Sequence, residues 1–266
     1  MKFIHLTEID LILASVFVIA MAVLSLFLQL GIFKQIIIAA ARTVVQLLAV
    51  GMVLKFIFAD LHFGWLLLVS LIMLIAASRE VMQRQAKRFS GFWGFGLGAL
   101  SMFVSSFSLT LIALLFMIEN KPWYEPQYAI PLLGMMLGNT MNGIALGLDR
   151  LTTNAWEQRT VIEGRLMMGH TWKQAVETIR RHSIRSGMIP IINSMAIAGL
   201  VSLPGMMTGQ ILAGSPPVEA VKYQILILFL ISAGTGFGTM VAVWAASRYL
   251  FDERQRLRLD RLKSSR

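Results

Sequence analysis

Apolar residues come in long runs along this chain, and the polar residues fall between the runs rather than alternating within them. Seven runs are long enough to cross about 30 Å of hydrocarbon as helix, once tilt and ragged ends are allowed for. They are Ile9 to Leu30, Gln35 to Phe58, Phe63 to Ser78, Phe92 to Ile118, Gln127 to Leu148, Gly187 to Val201 and Ala220 to Leu250. The third and sixth are short, and the last has room for an amphipathic lead-in. The first is too long for a signal-peptide core and lacks a small-residue cleavage site, so it counts as a span. The pattern predicts an all-α polytopic membrane protein with about seven transmembrane helices, a single membrane domain over residues 1–266.

One sizeable polar segment, Asp149 to Ser186, interrupts the runs between spans five and six. It reads as two short helices. Gly169 is placed to end the first, and Thr171 with Gln174 three residues on forms a capping-box signature for the second. On that second helix Trp172, Ala175, Val176 and Ile179 share a face, with Lys173, Glu177, Arg180 and Arg181 around the other sides.

Composition agrees with a lipid solvent: 56% of the residues are hydrophobic and 14% charged, too little polar surface for a soluble globule of this size. The net charge of +10 would point to nucleic acid in a soluble protein, but 18 of the 24 Lys and Arg lie in Arg79 to Arg88, Arg150 to Arg185 and Arg248 to Arg266. Each segment follows an apolar run, as cytoplasmic loops do. Nucleic acid is therefore excluded as a partner. The charges put the N-terminus outside and the C-terminus in the cytoplasm, with residues 251–266 a basic tail. On the outer side remain Lys2, Lys55, Lys121 and Lys222. With no cysteine, the chain has no disulfide, thiolate ligand or cysteine nucleophile.

Signatures of soluble active sites are missing. There is no GxxxxGK[ST] phosphate loop, no HExxH and no GxSxG. His5, His62, His170 and His182 are split between the two sides, so they do not converge on one metal. No Asp or Glu lies near the middle of a span, which argues against coupling to an ion gradient. Arg42 and Gln46 share a face of the second span, where pore lining and snorkelling to lipid phosphate are both open. A six-residue echo links Pro131 and Gly134-Met135-Met136-Leu137-Gly138-Asn139 to Pro204 and Gly205-Met206-Met207-Thr208-Gly209-Gln210. Matched Pro and Gly interruptions are tolerated at membrane depth around a cavity, so this echo marks a candidate substrate path, against coincidence in a Met-rich chain. For a hard ferrous ion, Asn139, Asn142, Gln210 and backbone carbonyls are better ligands than the methionine sulfurs.

Within the polar segment, Glu163 and Gly164 precede Gly169, the glycine six residues after the glutamate. This resembles the loop by which importer-type ABC permeases dock on their ATPase. More widely the chain resembles the FetB family of ABC-type permeases, related to plant aluminium-tolerance permeases. The matching residues are Arg42, Gln46-Leu47, Gly51 and Leu54-Lys55; then Ile130-Pro131, Gly134-Met135, Gly138-Asn139 and Met141. The longest match runs from Ser183-Ile184-Arg185 through Ile189-Pro190 and Ser194 to Gly199-Leu200-Val201-Ser202-Leu203-Pro204-Gly205-Met206-Met207. His170 departs from the small residue that the family tends to carry there.

The resemblance implies a permease subunit of the inner membrane that exports iron or another metal ion. It implies a separate ATP-binding protein carrying ATP and Mg, and two copies of each subunit. This chain would bind no cofactor and have no catalytic residue of its own. Its coupling residues would be Glu163, Gly164, Gly169 and Thr171. The path would involve Arg42, Gln46, Met135, Met136, Asn139, Met141, Asn142, Ser202, Pro204, Met206, Met207 and Gln210. The alternatives are an ion-driven carrier, which leaves the polar helix pair unexplained, and an intramembrane lipid enzyme, for which no nucleophile and base are visible.

Overall fold

In the computed structural model the described residues are 7–59, 62–118 and 121–264; Lys2 and His5 lie outside them. The chain separates into two compact units, one ending at His62 and the other beginning at Phe63.

The first unit is a pair of helices, α1 (Glu8–Phe27) and α2 (Phe33–Ala59). The turn between them passes through left-handed backbone at Gln29 (φ 52°) and Gly31 (φ 70°). Ala22, Ser25 and Ile57 are the buried side chains among its described residues, so almost every apolar group faces outward. Such a surface needs lipid or another protein against it.

The second unit contains α3 (Phe63–Gln83), a short strand β1 (Lys87–Phe89), α4 (Phe92–Met102), α5 (Ser108–Ile112), α6 (Pro126–Glu157), α7 (Arg159–Met167), α8 (Trp172–Ala175), α9 (Glu177–Ile197), α10 (Gly205–Leu212), α11 (Pro217–Tyr249) and β2 (Leu262–Ser264). Two π-helical turns, Phe103–Phe107 and Ala113–Met117, interrupt the fourth apolar run on either side of α5. Among the described residues six helices are long and apolar enough to cross a membrane. The run read as the sixth span, Gly187 to Val201, covers the C-terminal part of α9 up to Ile197 and the turn after it; the first half of α9 carries Arg180, Arg181 and Arg185. At 21 residues α9 is about 31 Å long, so it has the reach of a span without the uniform hydropathy.

The core lies where α6, α9 and α11 cross. An ideal Cβ on Gly187 would stand 2.5 Å from the Gly143 carbonyl oxygen, and one on Gly143 2.5 Å from Thr235 Cγ2. At Gly234 and Gly238 the same test meets Met136 Cε and Thr140 Cγ2, both at 2.6 Å. Without lipid-excluded hydrophobic driving force, close backbone approach through small residues is what holds such helices together. Around the crossing pack Leu133, Leu137, Ile144, Leu148, Leu151 and Val243, all buried. Proline does not break α6, although the sequence allows a broken helix there. Pro131 is the sixth residue of a 32-residue helix, so it forfeits only one hydrogen bond near the start.

Gly187→Leu and Gly143→Leu are expected to lower the thermal unfolding midpoint in detergent steeply, since overpacking of a closed contact costs about 1–3 kcal/mol or more. Gly138→Ala, where nothing lies within 4 Å of the new carbon, is expected to leave it unchanged. Circular dichroism melts check both.

Candidate functional site

The polar segment is built on a helix end that sequence defines closely. Gly169 adopts φ +87°, the left-handed conformation that glycine enters without a Cβ penalty. Its N–H donates to Leu166 O (3.0 Å) and the N–H of His170 donates to Arg165 O (3.1 Å), which satisfies the last carbonyls of α7 as a Schellman motif does. The Thr171 N–H donates to Gln174 Oε1 at 2.8 Å, the reciprocal half of a capping box. Trp172, Ala175, Val176 and Ile179 are buried together, as their shared face requires.

The expected pair of short helices is nevertheless three elements. α8 is one turn long; the chain bends at Val176 (φ −106°, ψ 6°) and continues directly as α9. On the other side α6 runs on to Glu157 without a loop. Polar residues extend both helices past the apolar runs because one face stays buried: Leu151 and Ala155 on α6, Ile179 and Ser183 on α9. The α7–α8 corner is thus joined rigidly to two of the three helices of the core crossing. At its tip Met167 is 84% and Met168 72% exposed, and Glu163 is exposed beside them.

The residues read as a basic tail fold back over this corner. Gln255 Oε1 accepts the Trp172 N–H at 2.9 Å, Phe251 lies 6.0 Å from the Trp172 ring and the Arg248 guanidinium 5.6 Å from it. Arg165 donates to Ala175 O at 3.1 Å from the α7 side. Farther on, β2 pairs antiparallel with β1, Leu262 opposite Phe89, and both side chains are buried. Asp252 closes the intervening turn by accepting the Arg256 N–H (2.8 Å) and then its guanidinium (2.7 Å). These hydrogen bonds hold the Asp252 carboxyl below the ordinary carboxylate range. A lowered folded-state value stabilises the turn at neutral pH, and that contribution is lost only as pH falls through the lowered value.

The candidate path residues occupy several environments. Arg42 and Gln46 lie one turn apart on exposed α2, in the first unit. In the second unit, Met136 and Met207 are buried packing residues, while Met135, Met141 and Met206 are half-buried. Asn139 is exposed and its amide donates to Met135 O at 2.8 Å; Asn142, also exposed, accepts from Arg84 at 2.8 Å. Pro204 is the N-cap of α10, Ser202 is exposed beside it, and the Gln210 Oε1 is buried without a hydrogen-bond partner among the described residues. One copy of the echo therefore sits inside an unbroken helix and the other forms the short helix α10. Both helices pack on α11. Among the described residues no three His, Asp or Glu side chains group to hold a metal ion.

The sequence reading missed a group of buried hydroxyls. Thr140 from α6, Thr235 and Thr239 from α11, and Ser106 and Thr110 from the irregular fourth run have hydroxyl oxygens shielded from solvent and without a partner among the described residues. The signal for them is indirect: each lies on a helix that also carries closely spaced glycines or π turns, which bring hydroxyls to the interface. Buried polar atoms in this state are uncommon and costly, so they mark where the packing holds strain or awaits another arrangement.

A bundle of long apolar helices with a rigid polar corner on one side defines a polytopic α-helical membrane protein. The chain belongs to the family described as "Uncharacterised protein family (UPF0014)", which matches residues 8–251. It is 38% identical over 231 residues to the UPF0014 membrane protein slr1647 of Synechocystis, covering 86% of this chain and 87% of that one. It is 33% identical over 263 residues to the Escherichia coli protein named "Probable iron export permease protein FetB", covering 97% and 98%. The Arabidopsis thaliana "Protein ALUMINUM SENSITIVE 3" is 31% identical over 223 residues, 84% of this chain and 80% of that one. No solved structure matches the chain.

Gln255→Ala is expected to leave the Trp172 N–H unpaired and to weaken α8 by about 1 kcal/mol. Hydrogen exchange should rise several-fold at Trp172–Ala175 and stay unchanged in the α6–α9–α11 crossing. In wild type, exchange in residues 252–256 should rise only on acidification below the ordinary carboxylate range.

Proposed function

We propose that this chain is the membrane subunit of an ABC-type transporter that exports a metal ion, iron first, using ATP hydrolysed on a separate ATP-binding subunit. The observation that carries this reading is the α7–α8 corner. A protruding tip with exposed Met167 and Met168 beside Glu163, backed by a left-handed Gly169 and fixed to the ends of α6, α9 and α11, is suited to insert into a partner and pass its movement on as a rigid-body push. The printed name of the Escherichia coli relative supports metal export, and that of the Arabidopsis relative supports a second metal as an alternative cargo. The basic segments support a cytoplasmic corner and C-terminus in the cell's inner membrane, with the N-terminus outside.

In this reading two copies of the chain pair, which covers apolar surface such as that of α2 and encloses the polar groups that face outward at membrane depth. Asn139, Asn142 and Gln210, with neighbouring carbonyls, supply hard oxygen donors for the passing ion. An ion-gradient carrier has no use for the exposed corner, which favours the ATP-driven reading.

The test is co-purification of the chain with its cognate ATP-binding protein, followed by metal flux in proteoliposomes. Met167→Asp with Met168→Asp is expected to lower retention of the ATP-binding protein by about tenfold or more, as loss of a central apolar anchor does. Asn139→Ala should leave retention intact and reduce flux. Metal flux that persists without ATP, or full ATP-driven flux after the Glu163–Thr171 corner is scrambled, would overturn the proposal.

A further inference from the structure

A cavity of about 870 Å³ opens between the start of α4, the end of α11 and the turn that follows α11. Its walls carry four guanidinium groups, Arg248, Arg254, Arg256 and Arg261, against two carboxylates, Asp252 and Glu253. Asp252 is committed to Arg256, as described above, and among the described residues Arg254 has no ion pair. Aromatic rings make up the floor. Trp93 stacks on Tyr249 at 3.6 Å, Arg261 lies 4.5 Å over the same tyrosine, and Trp244 is half exposed. Trp and Tyr beside arginines at the ends of spanning helices are the composition of a membrane–water interface.

A second space adjoins the cavity at a shared wall. A groove of about 470 Å³ runs between α4 and α11, lined by Gly96, Leu97, Leu100 and Val241, and shares Trp93 and Ala245 with the cavity. Gly96 leaves it open, with nothing within 4 Å of an added Cβ, and Leu100 is 63% exposed. The first space therefore offers a net excess of fork-shaped cation donors at the interface, and the second offers an apolar slot at acyl-chain depth.

From this adjacency we propose that the α4–α11 junction and the C-terminal turn bind one anionic phospholipid, its phosphate among the arginines and one acyl chain in the groove. Guanidinium forks suit phosphate oxygens in a bidentate way, and a basic pocket at helix ends is a recognised setting for anionic headgroups. A free phosphate would satisfy the arginines but leave the groove empty. The basic side is the cytoplasmic leaflet only if the function proposed above holds; lipid binding itself does not depend on it. The bound lipid would brace β1, the end of α11 and the turn that holds Gln255 against Trp172, so its loss would loosen the docking corner.

The test is native mass spectrometry of the purified full chain in mild detergent with equimolar dioleoyl phosphatidylglycerol and dioleoyl phosphatidylcholine. Phosphatidylglycerol is expected to be retained roughly tenfold over phosphatidylcholine, and Arg254→Gln to remove most of that preference. Leu100→Trp, which fills the groove without touching charge, should lower retention of both lipids. Equal retention of the two lipids, unchanged retention in both variants, or displacement by inorganic phosphate at millimolar concentration would overturn the proposal. So would loss of ATP-binding-protein association in Arg254→Gln with lipid retention unchanged, because the arginines would then be a protein contact. Association with the ATP-binding protein through the Met167–Met168 tip is read separately, so the two proposals fail independently.

Discussion

The structure rests on the contact between α6 and α9 at Gly143 and Gly187, where backbone meets backbone with no room for a side chain. In water such a contact would add little to a large apolar core. In lipid it is a main source of attraction, because neighbouring helices gain nothing by hiding apolar surface from hydrocarbon. α11 closes over the pair with Gly234 and Gly238, and the first π turn of the fourth run brings Ser105 against Gly238 of α11.

That crossing also sets the mechanical character of the molecule. Because α6 and α9 continue unbroken from it to the polar corner, a displacement of α7 and α8 has few soft joints in which to dissipate. The bend at Val176 is one, and the hydrogen bond from Trp172 to Gln255 stiffens it from outside. A corner with exposed methionines at its tip and a braced base has the build of a lever, the property on which the proposed coupling to an ATP-binding partner relies. The hydroxyls of Thr140, Thr235 and Thr239, buried and without a partner among the described residues, lie at the same crossing.

Much of the corner could be read in one dimension. The end of α7 at Gly169, the Gln174 cap and the buried face from Trp172 to Ile179 follow from local rules that act within four residues. The candidate path residues were less legible. The Gly-Met-Met echo joins residues alike in type, but Met136 is sealed against Gly234 while Asn139, three residues on, faces outward. Which side of a helix is inside depends on its neighbours, and α10 became a separate short helix only because Gly199 and Gly214 turn the chain on either side of it.

Amino-acid order by itself determined the solvent, the approximate set of spans, the basic side and the position of the polar corner. Each of these is a sum over nearby residues: hydropathy over some twenty positions, charge over a loop, capping over one turn. Tertiary structure alone decided that the sixth run belongs to a longer helix rising from the corner. It also decided that residues 251–264 form a clasp and not a loose tail. Those outcomes turn on contacts between residues some 80 or more apart, such as Gln255 with Trp172 and Leu262 with Phe89. No local pattern encodes a partner at that distance. The same folding-back placed three arginines of an apparently simple basic tail, with Arg248 at the end of α11, around one cavity, so charge that reads in sequence as a topology signal becomes, in three dimensions, the wall of a pocket.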